Sequence, residues 1–599
     1  MNEEPKSIWK KSWKGSRGLL LSLIPFTLFF IVIYASGAVP PSLKNYLGLP
    51  AYALFFSLFA TLMLLLVIKL VGWGFRRRNF KKFLFGLACL ATLIALFYAE
   101  EDWRGKHDWE KYKHEWEAKG EKFDFKDFVP PPVPDDQNFA MAPIFDATRN
   151  LASRKWRNEH RNQHNDDGGN PWDTNLADPL QIDIGRIDDW PATRSTTNGS
   201  GDWQTAKASD LTVWQNYYRT LATTTNLFPV APQPQSPPQD VLLALGKYDS
   251  VIEELRAAGA RPESRFPLDY DDEDPAEILL PHLAALKRSS QVLQLRAIAE
   301  LENDQSEKAF DDVKLALRLA DSIRTEPFII THLVRIAILQ ITLQPLWEGL
   351  AQHKWSDAQL AGLDAELSKL DFPAGYEFSV RGERSSRSII IDWIERKRSR
   401  YWLISDMVNN NNQPNTMENF LGSVAFYLAP KGWFYQNEIA IAQVEQQWNL
   451  PMVDAVNQII SPKTVQHAGT AFESSLRTMS FNYFARLLLS GFGSFAQKTA
   501  YSQNAVNMAR VAIALERYRL ANGNYPDSLD AIAAQFPNGI PHDIINGEPL
   551  HYRRTDDRQF ILYSVGWNET DDGGVVGIPL GGSSPKLDLG DWVWRYPQK

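Results

Sequence analysis

The sequence predicts a mostly α-helical protein with a small α+β module at its carboxyl end, three amino-terminal transmembrane helices and a large helical domain outside the cytoplasm. Three observations carry this. Three charge-free apolar runs open the chain, at 18–41, 45–68 and 83–99. Between 241 and 500, apolar residues recur at the spacing of one helix face. After 501 the pattern shortens to one helix, turns and short runs of strand formers.

Residues 1–17 form a basic cytoplasmic start, with Lys6, Lys10, Lys11, Lys14 and Arg17 ahead of the first run. A bilayer core of roughly 30 Å needs about 20 apolar residues of helix, and about 17 at the least. Residues 18–99 therefore read as a three-helix anchor. Arg76, Arg77, Arg78, Lys81 and Lys82 separate the second and third runs, whereas the other loop carries only Lys44. Basic loops stay in the cytoplasm. The amino terminus is thus predicted inside, and everything after Ala99 in the periplasm or an equivalent space outside a bacterial inner membrane. The first run can also be read as a cleaved signal peptide, with Ala35-Ser36-Gly37 as the small-residue site. Its length and the two runs after it favour a retained span, and cleavage would leave the large domain on the same side.

Charge divides the chain in the same place. Residues 1–99 carry 12 Lys+Arg against 2 Asp+Glu, and residues 100–599 carry 51 against 69. An acidic exterior lacks the basic footprint that nucleic-acid binding requires. The basic inner face suits anionic lipid head groups. The single cysteine, Cys89, lies in the third run, so no disulfide framework is used.

Residues 100–143 are expected to be a stalk helix, about 105–120, followed by a stiff linker at Pro130–Pro134. Trp109, Tyr112 and Trp116 fall at i, i+3 and i+7, one aromatic stripe that would pack on its own domain. Residues 144–240 are polar and lack periodicity, as expected of long surface loops with short elements. In the helical domain, 241–500, the pattern predicts helices at Leu280–Leu301, Ser306–Leu319 and Pro327–Gln352. Asn303-Asp304 is the turn between the first two, and Pro327 sits in the first turn of the third. The first pair resembles a tetratricopeptide-like hairpin, although no fixed repeat period is present. A second helical block covers 417–500; its apolar patch Leu487–Phe495 is too short to span a bilayer.

In the terminal module, 501–599, a helix over Ala505–Asn522 ends at Gly523, a left-handed cap. A short helix restarts with Asp527 or Ser528 near its cap. Strands follow in "PLHYRR" and "FILYSVG", joined through Thr555-Asp556-Asp557, and the last contains Asp591–Trp594.

"ALERYRLANGNYPDSLDAI", "GEPLHYRR" and "FILYSVGWNETDDGG" resemble the carboxyl-terminal domain of type II secretion major pseudopilins. With "GEKFDFKDFVPPPVPDDQNFA" and "KGWFYQNEIA", most of the chain resembles uncharacterised membrane proteins of planctomycete- and verrucomicrobia-type bacteria. That group implies no activity. The pseudopilin resemblance implies a helix packed on an antiparallel sheet, and a calcium loop. Ser564, Gly566 and Asn568 match later positions of the pseudopilin metal motif, but Ile561 stands where its first aspartate belongs. Pseudopilins begin with a processing glycine and one apolar helix, whereas this chain begins with three spans and is not expected to assemble as a pilus subunit.

Read from the residues alone, Asn568, Thr570 and Asp572 alternate before Gly573, as in the first half of many calcium loops. Asp588 or Asp591 would complete the shell. The competing reading is a loop folded by its own Asx hydrogen bonds, with Gly573-Gly574 supplying the special dihedrals. His160 and His164 stand at i, i+4 and could share zinc on a helix, but Arg161 occupies the place where a catalytic site carries glutamate. His332 reads as a satisfied core histidine. The twenty tryptophans suit sugar stacking or packing equally. No catalytic motif stands out. The expected function is structural or binding: a membrane-anchored envelope protein that meets protein partners outside the cytoplasm. The alternatives are an envelope metal-dependent hydrolase, with the His160/His164 region or an acidic cleft as its site, or an accessory of a secretion or pilus-like machine.

Overall fold

The computed structural model describes residues 69, 73, 76, 78–153, 199–224, 228–271, 278–397, 427–478, 492–579 and 585–597. The chain forms two compact units, one of 1–111 with 394–436, the other of 112–393 with 437–599. The first two apolar runs and the pair His160/His164 lie outside the described residues.

The third run lies within α1, Phe80–Glu117, a single helix of 38 residues. The stalk expected as a separate helix at 105–120 is the second half of α1, because no proline or glycine pair interrupts the helical pattern after Ala99. The most apolar 18-residue stretch of α1 is entirely unburied. Leu84, Phe85, Leu90, Leu93, Ile94 and Leu96 all face outward. In the same unit, Gly105 lies against Gly432 so closely that a Cβ at either would strike backbone. Asp102 accepts from the Gly432 amide at 2.9 Å, and Glu101 from the Trp433 indole at 3.1 Å. Lys431, Gly432 and Trp433 begin the "KGWFYQNEIA" landmark, so its opening residues sit on α1.

The second unit is mostly helical. Its described helices are α2 (Asp146–Ala152), α3 (Leu211–Thr224), α4 (Pro237–Leu245), α5 (Asp249–Gly259), α6 (Pro281–Glu302), α7 (Ser306–Asp321), α8 (Ile329–Ala351), α9 (Asp357–Leu367), α10 (Phe372–Arg396), α11 (Gly432–Val444, which starts in the first unit), α12 (Pro462–Thr478) and α13 (Phe492–Asn522). α6, α7 and α8 pack on one another, and Asp304 takes a left-handed conformation, φ 56°, in the turn between α6 and α7. α8 begins at Ile329 with Phe328 as its cap, so Pro327 stands before the helix rather than in its first turn. It is long and apolar enough to cross a membrane, but 61% of its most apolar stretch is buried, as in a core helix. Tyr112 and Trp116 of the aromatic stripe meet each other at 6.2 Å, and Tyr112 meets Phe123 at 6.2 Å.

The sheet has order β1-β2-β3, all antiparallel: His551–Arg554, Phe560–Ser564 and Trp592–Arg595. It does not stand apart from the helices. Trp594 packs 5.3 Å from Trp203, Trp592 meets Tyr501 of α13 edge-on at 5.1 Å, and Trp347 of α8 donates to the Arg595 carbonyl at 3.0 Å. α13 starts thirteen residues before the Ala505 expected and is buried almost all round from Phe495 to Glu516. Its buried Thr499, Ser502, Gln503 and Asn504 hide the apolar face that would mark its first turns.

Candidate functional site

The loop after β2 was the strongest metal candidate, and the structure shows what its oxygens do. Asn568 Oδ1 accepts from the Thr570 amide at 3.1 Å, and Asn568 Nδ2 donates to Asp572 Oδ2 at 2.8 Å. Asp591, 1% exposed, accepts from the amides of Asp572 at 3.2 Å and Gly574 at 2.7 Å. Burial pushes the Asp591 carboxyl above its ordinary range against those two donors. Gly574 has φ 81°, the left-handed conformation that glycine tolerates. Asp588 is exposed. The hydrogen bonds are those of an Asx-folded loop, and Asp591 staples it to β3. Among the described residues no group of three or more His, Cys, Asp or Glu side chains converges as a metal site.

His332 is buried as expected, between Phe372 at 5.6 Å and Phe495 at 5.4 Å. It is not satisfied: its Nε2 has no hydrogen-bond partner among the described residues. Burial, aided by Arg335, drives its pKa well down, so the ring is neutral.

Sequence reasoning missed the buried charge clusters. Where α5, α6 and α7 meet, Glu300 and Asp312 are 1% and 0% exposed. Arg296 Nε lies 3.2 Å from Glu300 and 3.1 Å from Asp312, and Arg256 pairs with Asp312 from α5. Burial and then the Asp312 charge push Glu300 up to about 8; burial pushes Asp312 up to about 6 against both arginines. Arg256 also lines a surface cleft of about 580 Å³ between α5, α7 and the end of α9. The cleft wall mixes Arg261, Lys314, Arg318 and Lys369 with Asp311, Asp321 and Glu366. Neither buried acid lines this cleft, so neither is placed to exchange a proton with a molecule bound there.

A second cluster surrounds a π-turn, Glu445–Asn449. Glu445 is fully buried and accepts from Arg387 at 2.5 Å and Asn449 at 2.8 Å. Arg384, 1% exposed, reaches Glu121 at 3.2 Å and covers the Phe123 ring at 4.2 Å, which fastens the segment after α1 onto α10. A third lies in α13: Glu516 accepts from Arg519, from Tyr525 at 2.8 Å and from His353 at 3.0 Å. The i, i+3 pair Glu516/Arg519 is readable from spacing; the other partners come from distant segments.

No family model, curated protein or solved structure matches this chain.

Proposed function

We propose that the protein is a membrane-anchored envelope protein of structural or binding type. Three amino-terminal spans hold it in a bacterial inner membrane, and its helical body and terminal sheet lie outside the cytoplasm for contact with protein partners. The observation that supports this most directly is the unburied apolar half of α1. Six large apolar side chains there face outward over a stretch long enough to cross a bilayer, which in water would be an aggregation site. The basic cluster Arg76–Lys82 just before it gives the orientation.

A binding role is favoured over hydrolysis by the clusters themselves. Glu300, Asp312, Glu445 and Glu516 are sealed from solvent and committed to arginines of the same chain, as in a scaffold. A catalytic acid must reach its substrate. The pseudopilin-like sequence of the last module adds the proposal that partners belong to an assembly machine. Two experiments test the reading. A reporter active only in the cytoplasm, fused after Lys599, is expected to be silent; a bright signal overturns the topology. Gentle solubilisation followed by identification of co-purifying proteins is expected to return a stable envelope partner, and a chain that purifies alone removes the binding role.

A further inference from the structure

We propose that the second unit holds a site for one neutral sugar ring, in a pocket of about 170 Å³ between α3 and α6. The two walls differ in chemistry. On α3, Trp214 and Tyr218 stand one turn apart, with ring centres 6.2 Å apart and planes within 29°. The indole is fixed by its donation to the Gly199 carbonyl at 3.2 Å. On α6, Gln291 and Gln294 share the facing side at i, i+3 spacing. Both are half-buried, and neither amide has a hydrogen-bond partner among the described residues. Ser209 adds a hydroxyl to the lining.

Size and charge select the ligand. The volume equals roughly six waters at about 30 Å³ each, the scale of a single six-membered ring with its hydroxyls. Drug-sized ligands need roughly 300 Å³ or more. Among the described residues no charged side chain lines the pocket, so an ion would lose its hydration without compensation. A wholly apolar guest would leave both amides unpaired. A neutral pyranose meets both walls, its apolar face on Trp214 and its hydroxyls on the two glutamines. The scattered tryptophans gave no such signal in the sequence. Here one indole acquires a polar counterpart from a helix more than seventy residues away.

Saturation-transfer NMR on the full chain, in a detergent without a sugar head group, tests this, with glucose and N-acetylglucosamine as probes and glucosamine as the charged control. Transfer to a neutral sugar and none to glucosamine is expected. The double variant Gln291→Leu/Gln294→Leu should weaken binding about tenfold or more, from two lost hydrogen bonds. Gln291→Ala alone replaces it if the double variant does not melt like the parent. Three results overturn the proposal: no transfer from either neutral sugar, equal transfer from all three, or undiminished binding in a folded variant.

Discussion

Glu300 and Glu516 are buried to the same depth, each 1% exposed, yet their carboxyls move in opposite directions. For Glu516, burial is outweighed by hydrogen bonds from Arg519, His353 and Tyr525, and the carboxyl is held below its ordinary range. For Glu300, burial is reinforced by the neighbouring Asp312 charge, and Arg296 must serve both acids; the carboxyl rises to about 8. Depth alone therefore does not set the charge state. The number of donors per carboxylate does, and that number depends on which segments the fold brings together.

The largest expected effect breaks the better-satisfied site. Glu516→Gln leaves Arg519 facing an amide instead of a charge and should cost about 3 kcal/mol, the scale for unpairing a buried ion pair. Because the folded carboxyl lies below its unfolded value, its stabilisation is present above about pH 4.3 and fades as pH falls through the folded value. Urea melts of parent and variant should thus converge in acid. Curves that stay parallel down to the acid limb would remove Glu516 as a charged partner.

Glu300→Gln should show the opposite sign with a smaller effect. A raised folded pKa favours folding at low pH, and that contribution is lost between about pH 4.3 and the folded value of about 8. The variant is therefore expected to gain on the parent as pH rises across that window, by a few kcal/mol at most. The same pair of melts at pH 5 and pH 9 checks it. A variant equally destabilised at both values would show that Glu300 is ionised throughout, with Arg296 as its full partner.

The difference between the two sites also marks what the sequence could tell. Helices α6 and α7 were readable because Leu283, Leu286, Leu293, Val313 and Leu317 recur on one face, and the turn at Asn303-Asp304 is local chemistry. All three strands were readable from β-formers between turns. The start of α13 was not, because Thr499, Ser502 and Asn504 are buried by neighbours on every side, and burial of that kind is a tertiary property. Arg519 is visible from Glu516 three residues away. The partnership of Arg256 with Asp312 spans 56 residues, and that of His353 with Glu516 spans 163; no periodicity encodes either. The Gln291/Gln294 wall is invisible for the same reason.

Asp591 extends the comparison to a third carboxylate, with two backbone donors and, among the described residues, no cationic partner. Asp591→Asn retains one acceptor and is expected to cost roughly 1 kcal/mol, the net worth of a hydrogen bond. The same loop decides the calcium reading. A calcium ion binding only the folded state would raise stability by mass action. To do so it would need carboxylate and amide oxygens that already accept from Thr570, Asp572 and Gly574, and it would need them without the aspartate that Ile561 replaces. Melting the full chain in detergent with calcium and with a chelator is therefore expected to give superimposable curves. A calcium-dependent rise that disappears in Asp572→Ala would instead make the loop a metal site, and would require Asn568 and Asp591 to exchange their amide donors for the ion. The module is packed through Trp594 and Tyr596 onto the helical body, so the measurement belongs on the whole protein, where unfolding of the loop is coupled to that core.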